Sequence, residues 1–147
     1  MASTSSPQQI ADAVAVGMLA ADSASRALGM RITAMAPGRA TLQMTVRADM
    51  VNGVQTCHGG IIATLADSAF AFACNSYNEL TVAAGFGIDF IAPGRLGDVL
   101  TASAVEVALA GRTGVYDVEV SNQRGERIAV FRGRSHRMKG RTTVTLD

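Results

Sequence analysis

Asn52-Gly-Val-Gln-Thr-Cys-His-Gly-Gly-Ile-Ile-Ala-Thr-Leu-Ala-Asp67 sets a glycine pair at the head of an apolar run and an aspartate two turns inside it. Asp67 is the only formal charge between Asp49 and Glu79. A carboxylate among apolar neighbours costs free energy unless it is paired, open to a cleft or used in chemistry. From His58 to Asn78 the apolar residues Ile61, Ile62, Leu65, Ala66, Ala69, Phe70, Phe72 and Ala73 surround nearly the whole circumference of a helix. That pattern predicts a buried helix rather than a surface one. Its polar and small residues, Gly60, Thr64, Asp67, Ala71, Asn75 and Asn78, recur at steps of three and four. They form one narrow seam along which a second backbone can approach closely.

On the N-terminal side, Gln8 to about Leu28 holds no proline, and Ile10, Val14, Met18 and Ala21 recur at helical spacing. An amphipathic helix is expected there. Residues 29–36 and 39–47 read as strands joined by a turn at Pro37-Gly38, and 48–57 as a loop. On the C-terminal side, 81–91, 98–109, 113–122 and 126–137 read as strands punctuated by Pro93-Gly94, Ala110-Gly111 and Arg124-Gly125. Val115, Asp117 and Glu119 alternate with Tyr116, Val118 and Val120, the period of a half-buried strand. Long antiparallel strands about one apolar helix predict an α+β fold, a sheet wrapped around that helix.

With 147 residues, 48% of them hydrophobic, the chain is long enough to bury one core of its own. Residues 8–140 are expected to form that domain, with 1–7 a Ser-rich flexible N-terminus and 141–147 a C-terminal tail. The net charge of +1 gives no global field for nucleic acid or an anionic membrane. Its distribution is uneven: residues 1–111 sum to −3 and residues 112–147 to +4. No apolar run reaches the ~18 residues of a membrane span. Two cysteines without metal or redox spacing leave a reduced, cytoplasmic protein as the expectation.

The chemistry is expected at the helix start. The N–H groups of Gly59 and Gly60 have no acceptor within the helix, and the positive end of the helix dipole lies behind them. Glycine lets an incoming oxygen approach, which suits a carbonyl gaining negative charge during acyl transfer. Gly59 and Asp67, eight residues apart, are about 12 Å apart along a helix axis. Groups that serve one carbonyl must each lie ~3 Å from it. One helix cannot meet that condition, whereas two antiparallel copies across a two-fold axis can. If both residues act, the protein is a dimer with shared sites.

Other motifs carry less. Cys57 beside His58 is a poor nucleophile–base pair, since adjacent side chains rarely reach one atom. No Gly-x-Ser-x-Gly elbow accompanies His58-Gly-Gly60, and Gly85-Phe-Gly87 is too short for a nucleotide fingerprint. No metal site is expected from two His and two Cys. Asp89 reads as structural and His136 as a surface residue. The cluster Arg112, Arg132, Arg134, Arg137 and Lys139 is a candidate for binding phosphates.

Several stretches together resemble the hot-dog-fold thioesterases, and among them the phenylacetic-acid-degradation (phenylacetyl-CoA) family. They are Met50-Val-Asn-Gly53, Thr56-Cys-His-Gly-Gly60, Leu65-Ala-Asp-Ser-Ala-Phe-Ala-Phe-Ala-Cys-Asn75, Ile88-Asp-Phe90 with Pro93-Gly94, Thr113-Gly-Val-Tyr-Asp117 and Phe131-Arg-Gly-Arg-Ser-His136. The resemblance covers roughly residues 8–138. It implies a curled antiparallel sheet around the central helix, dimers that pair into a homotetramer, and hydrolysis of aryl-acetyl-CoA thioesters such as phenylacetyl-CoA or hydroxyphenylacetyl-CoA. Coenzyme A is then part of the substrate, and no cofactor or metal is implied.

Carried over residue by residue, Gly59 donates its N–H to the thioester oxygen. Asp67 of the second chain is nucleophile or general base, and Asn52 and His58 position carboxylate, water or acyl group. Arg112, Arg132 and Arg134 become candidate contacts to CoA phosphates. Relatives often carry a Ser or Thr on the strand after the helix, near the catalytic water. Here Val82-Ala-Ala-Gly-Phe86 has no hydroxyl. Two readings compete with the thioesterase. A hot-dog hydratase or dehydratase would need a His–acid pair, and only His58 is placed for one. A non-catalytic acyl-CoA-binding module is the other.

Overall fold

Six strands and three α-helices build the computed structural model, which describes residues 4–147. Helix α1 (Pro7–Ala21) starts at a capping box, in which Ser6 Oγ accepts from the Gln9 N–H and the Gln9 side chain accepts from the Ser6 N–H. The single helix expected to reach Leu28 is broken at Asp22. That residue's carboxylate accepts from the Ser25 N–H and so caps a separate short helix, α2 (Ser23–Ala27). A local cap overrides the apolar period there. Of the expected flexible N-terminus, residues 1–3 lie outside the described residues, and Ser6 and Pro7 open α1.

Strands β1 (Arg31–Ala36) and β2 (Arg39–Thr45) precede the 3-10 turn Ala48–Met50. Helix α3 (Gly59–Asn75) follows, then β3 (Thr81–Phe90), β4 (Val99–Ala110), β5 (Thr113–Ser121) and β6 (Arg127–Arg137). The strands form one antiparallel sheet in the order β1-β2-β4-β5-β6-β3, so β1 and β3 are its open edges.

Alternation along β5 decides which face is inward: Gly114, Tyr116, Val118 and Val120 are buried, and the intervening residues are not. The inner face wraps α3, whose Leu65, Ala66, Ala69, Phe70, Phe72 and Ala73 are fully buried. Under the Phe70 ring of α3 the sheet offers glycine. A Cβ on Gly133 would sit 2.9 Å from the Phe70 ring. Phe70 in turn packs tilted against Tyr116 and Phe131, with centroids 5.6 and 5.8 Å away.

The C-terminal segment has no helix or strand but is tied to the end of α3. The Thr143 hydroxyl donates to Asn75 Oδ1, and the Asn78 amide exchanges two hydrogen bonds with the Val144 backbone. Asn75 also brackets Thr81, accepting from its N–H and donating to its carbonyl. Asn75 and Asn78 are therefore buried joints between α3 and β3, not the open seam that their spacing predicts. The accessible seam ends at Ala71.

Candidate active site

The tip of α3 is held by a side chain of its own. His58 is the N-cap, and its Nδ1 accepts from the Gly60 N–H at 2.9 Å. The expectation that both glycines offer free donors is thereby corrected: the Gly60 N–H is taken. Among the described residues, the Gly59 N–H has no acceptor. One open donor remains, at the residue picked out by the resemblance. Because Nδ1 accepts, a neutral His58 ring carries its proton on Nε2.

Gly59 is glycine for lack of room. A Cβ there would come 3.0 Å from Phe90 Cζ, so the Phe90 ring lies directly against its Cα. Beside them opens a groove of about 330 Å³, lined among others by Asn52, Thr56, Gly59, Ile62, Phe90 and Pro93. The loop that forms its rim is tightly built. Asn52 Oδ1 accepts from the N–H groups of Val54 and Thr56, and its Nδ2 donates to the Thr56 hydroxyl. Within its own chain, Asn52 therefore shapes the rim. The Cys57 N–H donates to the Gly94 carbonyl and the His58 N–H to that of Met50, pinning the loop on both sides.

Asp67 lies two turns further along α3, half-buried on its accessible seam. Burial pushes its carboxyl above the ordinary carboxylate range, and the nearby negative charge of Asp22 pushes it further. Among the described residues, no hydrogen bond or cation offsets these two effects. Close by, the Ser25 hydroxyl bonds Asp22 Oδ2 at 2.6 Å and Ser68 Oγ at 2.8 Å. This connection between α2 and α3 was not foreseen from the sequence, although the spacing Asp22-x-x-Ser25 is a recognisable N-cap pattern. The part played by Phe90 at Gly59 was equally hidden, since it joins residues far apart in the chain.

The remaining candidates are dispersed. Arg132 is engaged by Asp117 through a two-pronged ion pair, with Nε at 2.6 Å and Nη2 at 2.9 Å. Arg132, Arg134 and His136 are exposed on β6, on the face opposite α3. Arg112 lies in the β4–β5 turn, beside Arg137 and Lys139 in a separate cleft. Asp89 is exposed on β3. The Cys57 thiol is buried, and burial with the Asp98 charge pushes it up to about 11, which disfavours the thiolate a nucleophile requires.

Residues 54–129 match the model of the Thioesterase superfamily. An acyl-coenzyme A thioesterase from Escherichia coli, PaaI, is 49% identical over 122 residues, which span 83% of this chain and 87% of that protein. The chain belongs to the thioesterase superfamily. It is accordingly a thioester hydrolase with the hot-dog fold, its sheet open at β1 and β3. Among solved thioesterase structures, that of E. coli PaaI from the phenylacetic acid degradation operon superposes with a TM-score of 0.91. It is 47% identical and covers 93% of this chain and 99% of that one. A hypothetical thioesterase protein from Streptococcus pneumoniae, solved with coenzyme A, superposes with a TM-score of 0.74 at 26% identity, covering 77% and 91%.

Proposed function

We propose that the chain hydrolyses acyl-CoA thioesters of the aryl-acetyl class, phenylacetyl-CoA or hydroxyphenylacetyl-CoA, to the free acid and coenzyme A. The observation that carries this reading is the unsatisfied Gly59 N–H opening onto a groove lined by Phe90. The likeness to PaaI supports the acyl group, and the CoA held by the S. pneumoniae relative supports the thiol half.

A single chain has half of the machinery at each place. The straight helix keeps Asp67 about 12 Å from Gly59 along its axis. The missing half is supplied by a second copy. Strand β3 is a ten-residue edge on which Val82, Phe86 and Phe90 are 46%, 48% and 52% exposed. An apolar edge of that length calls for a partner strand. Pairing two β3 edges about a two-fold axis continues the sheet and lays the two α3 seams side by side. The Gly59 tip of one chain then faces the Asp67 of the other, and pairs of dimers make the proposed tetramer.

In the reaction, the Gly59 N–H receives the thioester oxygen as it gains negative charge. Asp67 of the second chain either attacks the carbonyl carbon or takes a proton from the water that does. The tetrahedral intermediate collapses, the C–S bond breaks, and the thiolate leaves without need of a strong acid; where Asp67 itself attacks, water then hydrolyses the acyl–Asp67 anhydride to the free acid and restores the carboxylate. His58 holds the helix tip through Gly60, and Asn52 shapes the groove rim. The stretch Val82-Ala-Ala-Gly-Phe86 of β3 carries no side-chain hydroxyl. No cofactor or metal is assigned a role, coenzyme A being part of the substrate.

A panel of acyl-CoAs followed by thiol release tests the assignment. Aryl-acetyl thioesters should give the highest kcat/KM. Saturable binding without thiol release would make the chain a binding module instead, and hydration of an enoyl-CoA would favour the hydratase.

A further inference from the structure

A second cleft, of about 620 Å³, lies at the other end of α3, and the catalytic groups leave it unused. Arg112, Arg137, Lys139 and Arg141 line it, opposed by the single carboxylate of Glu79. The walls are fixed by backbone bonds. Arg137 N–H donates to the Arg112 carbonyl, Met138 N–H to Leu80, and Leu80 N–H to Arg141. Arg137 is satisfied, paired with Glu79 at 2.8 Å and stacked over the Tyr77 ring at 5.1 Å. Among the described residues, Arg112, Lys139 and Arg141 have no carboxylate partner. Three unpaired cations on one rigid rim repel one another and favour an anion between them. Arg132 differs, because the Asp117 carboxylate already occupies its fork.

The place of this cleft follows from β3. That strand begins at Thr81, beside the cleft wall, and ends at Phe90, against Gly59. Antiparallel pairing of two β3 edges sets the Thr81 end of one chain beside the Phe90 end of the other. The cleft of each chain then stands at the mouth of its partner's groove. Along α3, Asp67 lies about 12 Å before the helix end at Asn75, and Glu79 at the cleft follows four residues beyond that end. An extended pantetheine arm covers a comparable distance.

We propose that Arg112, Lys139 and Arg141 form a phosphate seat, which holds the nucleotide phosphates of a CoA thioester whose acyl end lies in the partner's Gly59 groove. The assignment rests on the acyl-CoA reading above and adds a recognition element from the C-terminal segment. Each chain would thus contribute its carboxylate and its phosphate seat to the same substrate.

The test compares phenylacetyl-CoA with phenylacetyl-pantetheine, which lacks every phosphate. In the triple variant Arg112→Gln, Lys139→Gln and Arg141→Gln, KM for the CoA thioester should rise by roughly tenfold or more, the usual scale for charged hydrogen bonds. Its kcat should hold, and the pantetheine thioester should be turned over as by the wild type. Binding of adenosine 3′,5′-bisphosphate, measured by calorimetry, should weaken in parallel. An unchanged KM and unchanged bisphosphate binding overturn the seat while leaving the hydrolase intact. Equal losses on both thioesters also overturn it, by exposing a structural defect. If the wild type hydrolyses neither thioester, the functional reading fails, and bisphosphate binding alone still decides the seat.

Discussion

Asp67 is placed at an energetic disadvantage, and that disadvantage is measurable. Burial first, and the charge of Asp22 second, raise its carboxyl above the ordinary range. Ionisation therefore costs the folded state. Below the unfolded carboxylate pKa both states are protonated and there is no cost; above it the cost grows until the folded pKa is passed. Asp67→Asn should accordingly raise the melting temperature at neutral pH, with the gain vanishing in acid. The same substitution should lower turnover by about 10²–10⁴, the scale of losing an acid–base group. Near-wild-type hydrolysis by a folded Asp67→Asn protein would remove the residue from the mechanism.

Asp22 belongs to the same local balance. Its carboxylate is held by Ser25, which is itself bonded to Ser68, the neighbour of Asp67. The rate should rise with pH through the elevated Asp67 pKa, because the reactive form is ionised. Removing the second negative charge in Asp22→Asn should move that acid limb of the kcat profile to lower pH. A limb that stays in place would show that the Asp22 charge does not reach the site.

At the scale of elements, α3 packs against β6 with no room for a side chain at Gly133. Gly133 lies under the Phe70 ring, which is fully buried among Tyr116 and Phe131 and cannot turn away. Gly133→Ala should destabilise the fold by about 1–3 kcal/mol, the typical cost of overpacking. Denaturant titration checks this, with Gly53→Ala as the control, since no atom lies within 4 Å of the added Cβ.

Elements were legible where local signals agreed. The turns at Pro37-Gly38, Ala110-Gly111 and Arg124-Gly125 delimit strands whose bounds fall within two residues of expectation. The long first helix failed because Asp22 reaches its own Ser25 N–H more readily than the apolar period can carry the helix through. Asn75 and Asn78 share the spacing of the seam, yet their amides meet Thr81, Thr143 and Val144. A step of three or four residues places side chains on one face of a helix. It does not say what lies over that face.

For the whole molecule, the decisive experiment mixes two dead chains. Asp67→Asn removes the carboxylate; Gly59→Pro removes the N–H, keeps the helix start, where proline is tolerated, and crowds Phe90 of its own groove. A heterodimer of the two has one site with both wild-type groups. Half of the dimers in an equal mixture are heterodimers, each with one good site of two, so about a quarter of wild-type activity should return. Verified heterodimers without recovery would place both groups in one chain and rule out the shared site.

The linear sequence determined most of the elements and set His58-Gly59-Gly60 at a helix start with Asp67 eight residues on. Capping, turn chemistry and periodicity act over a few residues, so they can be read without the fold. Only the tertiary structure decided the rest. His58 closes the Gly60 N–H and leaves that of Gly59 open, Phe90 lies on Gly59, and Arg112 converges with Lys139 and Arg141 while Arg132 is taken by Asp117. All but the His58 cap, which acts over two residues, turn on strand order, which sets β3 beside β6 at an open edge. Alternation tells a strand which face to bury, and it is silent about which neighbour it will pair with.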